Sequence, residues 1–202
     1  MNEASWLSPH ELETLQDQDF FPLKFRICEK VEAQLQQLYQ QITSTHKIDH
    51  PYFQTAGKLS KGENYQTYPY RVLDFPRYFS GDDMLLIRSM MLWGDAFSFH
   101  LILTGKPLEA CKDRLWDIRQ QAPFSFFIAQ HESPWLWMQD EGPWAEWQAW
   151  QRSDWEYHLK TYQYLKISTF LPLNQAGEFE PFILENWNWA FQAIAPQASI
   201  KR

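Results

Sequence analysis

Between Leu23 and Ile42 six apolar residues, Leu23, Ile27, Val31, Leu35, Leu38 and Ile42, recur at spacings of four and three. That places them on one stripe of a helix of about six turns. Further along, over 68–104, the apolar period drops to two in segments rich in aromatic and branched residues and bounded by Pro76, Gly81, Gly94 and Gly105, the pattern of strands. A chain that changes period in this way has to bury a helix stripe and a sheet face together, and this excludes all-helical and all-strand architectures.

Applied to the whole chain, the same reading gives an element order. Ser8, Pro9 and Glu11 form a helix start with a capping box. The long amphipathic helix follows, then strands over 68–75, 84–93 and 96–104. A helix over 107–118, a strand over 124–129, a Trp-rich insertion, a strand over 162–171 and a C-terminal helix over 179–194 complete it. The expectation is an α+β fold with a largely antiparallel sheet of about five strands, in a single domain spanning 1–202. Residues 43–66 carry no periodicity and are expected to form a long loop of the kind that often bears function. Gly94 and Asp95 suggest a tight turn, which would set Ser89 opposite His100 and Met90 opposite Phe99. In the third strand Phe97, Phe99, Leu101 and Leu103 share the expected core face, and Ala96, Ser98, His100 and Ile102 the other.

Composition narrows the function classes. Hydrophobic residues make up 45% of the chain and aromatics 17%, enough apolar bulk to offset ordering entropy and exclude disorder as the main state. With 18 basic against 25 acidic side chains, the net charge is -7. That argues against nucleic acid, whose binding draws on clustered Lys and Arg. The N-terminus lacks the form of a secretory signal and no apolar run approaches the length of a membrane span, so a soluble cytoplasmic protein without a membrane partner is expected. Cys28 and Cys111 fall in helical apolar patterns and read as unpaired small hydrophobes.

Several chemistries fail on spacing. The segment from Gly57 to Gly62 has the glycine spacing of a phosphate loop, but Glu63 and Asn64 stand where Lys and a hydroxyl are needed. His46, Asp49 and His50 could share a metal only on a helix, which Pro51 opposes. His131 and Glu132 lack the second histidine of a zinc hydrolase, and no Gly-x-Ser-x-Gly elbow occurs. No metal and no cofactor are implied.

Two features stand out. Charged groups cluster on the strands, with Arg71, Asp74, Arg88 and His100 amid apolar neighbours, and such groups are costly to bury unless paired. One reading is an anion pocket of Arg71, Arg88 and His100, covered by the 43–66 loop with Lys58, Lys61 and Tyr65; the other is an internal Arg–Asp74 pair. The second feature is tryptophan: six of eleven fall at 135, 137, 144, 147, 150 and 155. On a helix begun at Pro143, Trp144, Trp147, Trp150 and Trp155 would form one aromatic face, which reads as core, as an interface for a second copy or a protein partner, or as a platform for a flat ligand. The leading expectation is a non-catalytic interaction domain that uses this aromatic surface. The alternative is an enzyme or small-ligand binder with the anion pocket.

Overall fold

The computed structural model describes residues 6–45 and 50–195. Among them are five α-helices, α1 (Pro9–Gln16), α2 (Phe20–Thr45), α3 (Gly105–Ile118), α4 (Arg152–Thr161) and α5 (Phe179–Ile194). The strands are β1 (Lys58–Tyr65), β2 (Tyr68–Ser80), β3 (Asp83–Leu92), β4 (Ala96–Thr104), β5 (Phe127–Ala129), β6 (Trp144–Glu146) and β7 (Tyr164–Pro172). They form one antiparallel sheet in the order β1-β2-β3-β4-β7-β5-β6. The fold is therefore α+β, with the long N-terminal and C-terminal helices that periodicity implies and two strands more than expected.

Both extra strands lie where the apolar signal is absent. β1 occupies much of the segment expected to be a loop. It is an edge strand, exposed along most of its length, so it needs no apolar alternation, and its Lys58, Lys61 and Glu63 keep other edges away. β6 replaces the start of the expected Trp helix: Trp144 pairs with Ala129 and Glu146 with Phe127. The helix begins only at Arg152, where the Asp154 carboxylate accepts a hydrogen bond from the Gln151 amide at 2.8 Å. Of the residues considered for a metal, His46 and Asp49 lie outside the described residues. His50 caps a short 3-10 turn, its Nδ1 accepting from the Tyr52 amide.

The sheet has two unlike faces. On one, α2, α3 and α5 cover Leu73, Leu85, Ile87, Phe99, Leu101 and Ile167, all 2% exposed or less. Phe97, Phe99, Leu101 and Leu103 belong to this core face, as alternation requires. Burial on α2 starts only at Cys28 and continues through Val31, Leu35, Leu38 and Ile42; Phe20, Phe21, Leu23, Phe25 and Ile27 ahead of it are exposed. The opposite face carries a smaller apolar cluster with Val72, Leu86, Met90 and Ile102 and, among its polar groups, Asp74, His100 and Lys166, which are buried.

The β3–β4 connection corrects the expected register. Trp93, Gly94 and Asp95 form a three-residue loop, with Gly94 at φ 78, a backbone conformation that glycine adopts without steric cost. The extra residue pairs Arg88 with His100 and Ser89 with Phe99. A shift of one residue reverses which side chains are neighbours, and here it brings Arg88 and His100 onto the same face.

The four tryptophans do not form a stripe. Trp147 and Trp155 are 0% exposed and stack at 5.5 Å in the helix-side core, with Trp116 and Trp189 against them. Trp150 is 8% exposed, and Trp144 lies on the opposite sheet face beside Phe170. Trp147 and Trp155 have no surface to offer a partner, so the interface expectation fails for them; they are core. Trp155→Ala should cost roughly 3–5 kcal/mol in urea unfolding, whereas truncating the 44%-exposed Trp135 should cost less than about 1 kcal/mol.

Candidate functional site

Antiparallel pairing lines up one residue from each of four central strands on the face away from the helices: Asp74, Arg88, His100 and Ser168. The row is hydrogen-bonded almost end to end. Arg88 donates through Nε and Nη2 to the two Asp74 oxygens at 2.7 and 2.8 Å, the bidentate geometry that suits a guanidinium. Beside it His100 is 0% exposed, with Nδ1 2.7 Å from Ser168 Oγ and Nε2 2.9 Å from Ser98 Oγ. Burial holds its pKa well below the ordinary range, and the charges of Lys166 and Arg88 add to that, so the imidazole is neutral.

Lys166 lies two residues before Ser168 on β7 and is 0% exposed. Its ammonium donates to the Leu136 carbonyl and faces two indoles, Trp137 at 4.1 Å and Trp144 at 5.2 Å. Among the described residues no carboxylate is within ion-pairing distance of it. Burial lowers its pKa to about 7, with repulsion from Arg88 in the same direction and the field of Glu141 opposing.

A cover for this row comes from the 130–143 segment, which connects β5 to β6 and closes on itself where Gln130 N donates to Pro143 O. Its Trp137 ring has Arg88 at 4.3 Å, Lys166 at 4.1 Å and His100 at 5.1 Å. One carboxylate latches it: Glu141 accepts from the Tyr65 hydroxyl, the Gln66 amide and the backbone N–H groups of Trp137 and Met138, at 2.5–2.8 Å. Burial pushes the Glu141 pKa up, but these donors outweigh it and leave the group below its usual value. Burial and the same carboxylate raise the Tyr65 phenol, so it stays a donor.

Between Trp137 and β1 the face opens into a cleft of about 560 Å³. Ser60, Val72, Asp74, Arg88 and Met90 line it from the sheet, with Lys58 and Lys61 at β1 and Tyr65, Tyr70 and Trp137 as aromatic walls. Two cationic side chains, Arg88 and Lys58, thus meet one carboxylate, Asp74.

Of the residues expected to bind a ligand, Lys58, Lys61, Tyr65 and Arg88 line the cleft, and His100 sits directly behind Arg88. Lys61 reaches it only in part, because its Nζ is 3.8 Å from Glu32. Arg71 does not belong. It pairs with Met91 in the ladder, three residues from Asp74 and so on the helix side, where Glu32 and Glu63 bind it at 2.6 and 3.1 Å. Sequence reasoning missed Lys166 although it carries the signal that flagged Arg88, a charge inside an apolar strand; Trp137 and Glu141 carry no such signal, since they lie in a segment without periodicity.

No family model matches the chain, and searches of curated proteins and of solved structures return no significant match.

The buried amine has a stability signature. Its folded pKa of about 7 lies below the 10.5 of a free lysine side chain, so between these limits the unfolded chain binds a proton that the native chain does not, and native stability rises with pH. Relative to Lys166→Met, the wild type should gain stability from pH 7 to pH 10, with a slope approaching 1.4 kcal/mol per unit, read by urea unfolding at each pH. A flat difference would contradict the burial of an unpaired amine.

Proposed function

We propose that the protein binds a small anionic ligand, a carboxylate or phosphate compound, in the cleft between β1 and Trp137. The observation that carries this reading is Arg88. Asp74 fixes its guanidinium through Nε and Nη2, and Nη1 keeps no partner among the described residues at the border of a cleft that also holds Lys58. A guanidinium oriented by one carboxylate is preorganised to bind a second anion with the N–H groups that remain. Tyr65, Tyr70 and Trp137 supply apolar walls for the rest of the ligand, the mixture of few polar groups and aromatic surface that small-molecule sites use.

Millimolar phosphate, citrate or a dicarboxylate should therefore raise the melting temperature, since a ligand bound only by the native state stabilises it by about 2.7 kcal/mol at a hundredfold excess over Kd. For a chain of this size that is a shift of roughly 5 °C or more. Lys58→Met, at an exposed position, should weaken the response while leaving the fold intact, and Arg88→Met should abolish it. No response to any of the three anions, together with a marked loss of stability in Arg88→Met, would reduce Arg88 to the internal partner of Asp74.

A second reading, association with another copy, rests on the N-terminal arm rather than on the buried tryptophans. Trp6, Leu15, Phe20, Phe21 and Phe25 are 89%, 73%, 40%, 59% and 62% exposed. At the root of the arm, Ile27, Val31, Met91, Trp93, Phe97 and Phe179 line an apolar cleft of about 550 Å³. Aromatic side chains beside an apolar recess are the composition of an association surface. Sedimentation at tens of micromolar should then show a dimer that Phe21→Glu or Phe25→Glu converts into a folded monomer, because a charge is costly to desolvate there. A monomeric wild type would remove this reading.

A further inference from the structure

We infer that Lys166 is an imine-forming amine, and that the anionic ligand of the neighbouring cleft is a carbonyl compound, a 2-oxo acid or an anionic aldehyde. The inference rests on the anion-binding reading of that cleft and assigns it a substrate class.

The geometry is unusual for a structural lysine. Fully buried lysines are rare unless a carboxylate pairs with them, yet Lys166 has one carbonyl oxygen and two indole faces around its ammonium. A methionine would fill the space without the cost of desolvating a charge. The Trp137 indole is common to the cleft and the amine: it lines the cleft and has Arg88 4.3 Å and Lys166 4.1 Å from its ring. A ligand held by its anionic group on Arg88 and Lys58 would have its next atoms against that ring, and displacement of the ring would put them beside the amine. That indole sits on the 130–143 segment, fastened by Tyr65 and Gln66 to Glu141.

The same features activate the amine. A lysine desolvated in an apolar site, or placed near another cation, keeps a neutral fraction at neutral pH and attacks carbonyl carbon. Burial and the nearby Arg88 supply both conditions, and the ammonium pKa near 7 follows from them. The Lys166 nitrogen lone pair forms a C–N bond to the carbonyl carbon as the π pair moves to oxygen. A proton then passes from nitrogen to that oxygen, giving a carbinolamine. With one further proton the hydroxyl leaves as water and the C=N bond forms, leaving a single positive charge on the iminium. No oxidant or reductant is consumed.

The test uses the full chain with pyridoxal 5′-phosphate and, separately, pyruvate, each followed by cyanoborohydride reduction and peptide mass mapping. Lys166 should be labelled at least tenfold faster than the exposed Lys106 and Lys160 at pH 7.5, and its rate should drop below pH 7. Trp137→Ala should raise the Lys166 rate further by removing the indole that packs on the amine. Inorganic phosphate at millimolar concentration should protect Lys166 and leave the surface lysines unaffected. Labelling confined to surface lysines, in the wild type and in Trp137→Ala alike, overturns the imine inference even where phosphate still raises the melting temperature. Rapid labelling of Lys166 that phosphate does not slow sustains the reactive amine and removes the anion cleft as its substrate site. Lys166→Met, expected to fold because it removes a buried charge, must lose the label; retention of label at the same rate elsewhere overturns the assignment.

Discussion

A guanidinium in the middle of a central strand can be buried only if a carboxylate meets it squarely, because desolvating either charge alone costs several kcal/mol. Arg88 satisfies this through Asp74 on the adjoining strand, and the pair dictates what can stand beside it. His100, next in the row, is fully buried and faces two cations and no carboxylate, and burial first and the cations second hold it neutral. Hydroxyls, which can donate or accept as the imidazole requires, complete the row at Ser98 and Ser168. Lys166 then adds a further amine to a face whose nearest anions are already engaged.

The two faces of the sheet solve different problems. The helix side is covered by α2, α3 and α5, and its aromatic residues pack by stacking and edge contacts that add to the burial of their area, such as Phe75 on Trp187 and Phe126 on Trp189. A helix stripe is a poor seal for the opposite side, because a continuous apolar surface would leave Lys166 unsolvated and without a partner. An irregular segment does the covering instead. It offers what a helix side cannot, a free backbone carbonyl at Leu136 for the ammonium and a single indole that serves both cations.

How much of this is legible in the sequence depends on whether a residue's neighbours come from periodicity or from loop geometry. Leu35, Leu38 and Phe99 follow from spacing alone, and the α+β class and closing helix with them. The edge strand β1 does not, since exposure on both faces removes the alternation by which strands are found. Register is a matter of one residue: two at the β3–β4 turn would have set His100 against Ser89, three set it against Arg88. Arg71 and Asp74 are three positions apart on one strand, so alternation sets them on opposite faces, and it is the ladder partner, Arg88 for Asp74 and Met91 for Arg71, that separates the two arginines. The contacts of Trp137 and Glu141 depend on how a 14-residue excursion (residues 130–143) folds back, and no local pattern encodes that.

The latch at Glu141 has a consequence for how the cover is held. Four donors, two of them backbone amides of the cover itself, converge on one carboxylate. The Trp137 and Met138 amides belong to the same 130–143 segment as the carboxylate, so those two bonds brace the cover from within, while the bonds from Tyr65 and Gln66, with the 3.1 Å approach of the Trp137 amide to the Tyr65 hydroxyl, tie it to the end of β1. One carboxylate thus sets both the internal shape of the cover and its attachment to the sheet edge, and the position of the Trp137 indole over Lys166 depends on both.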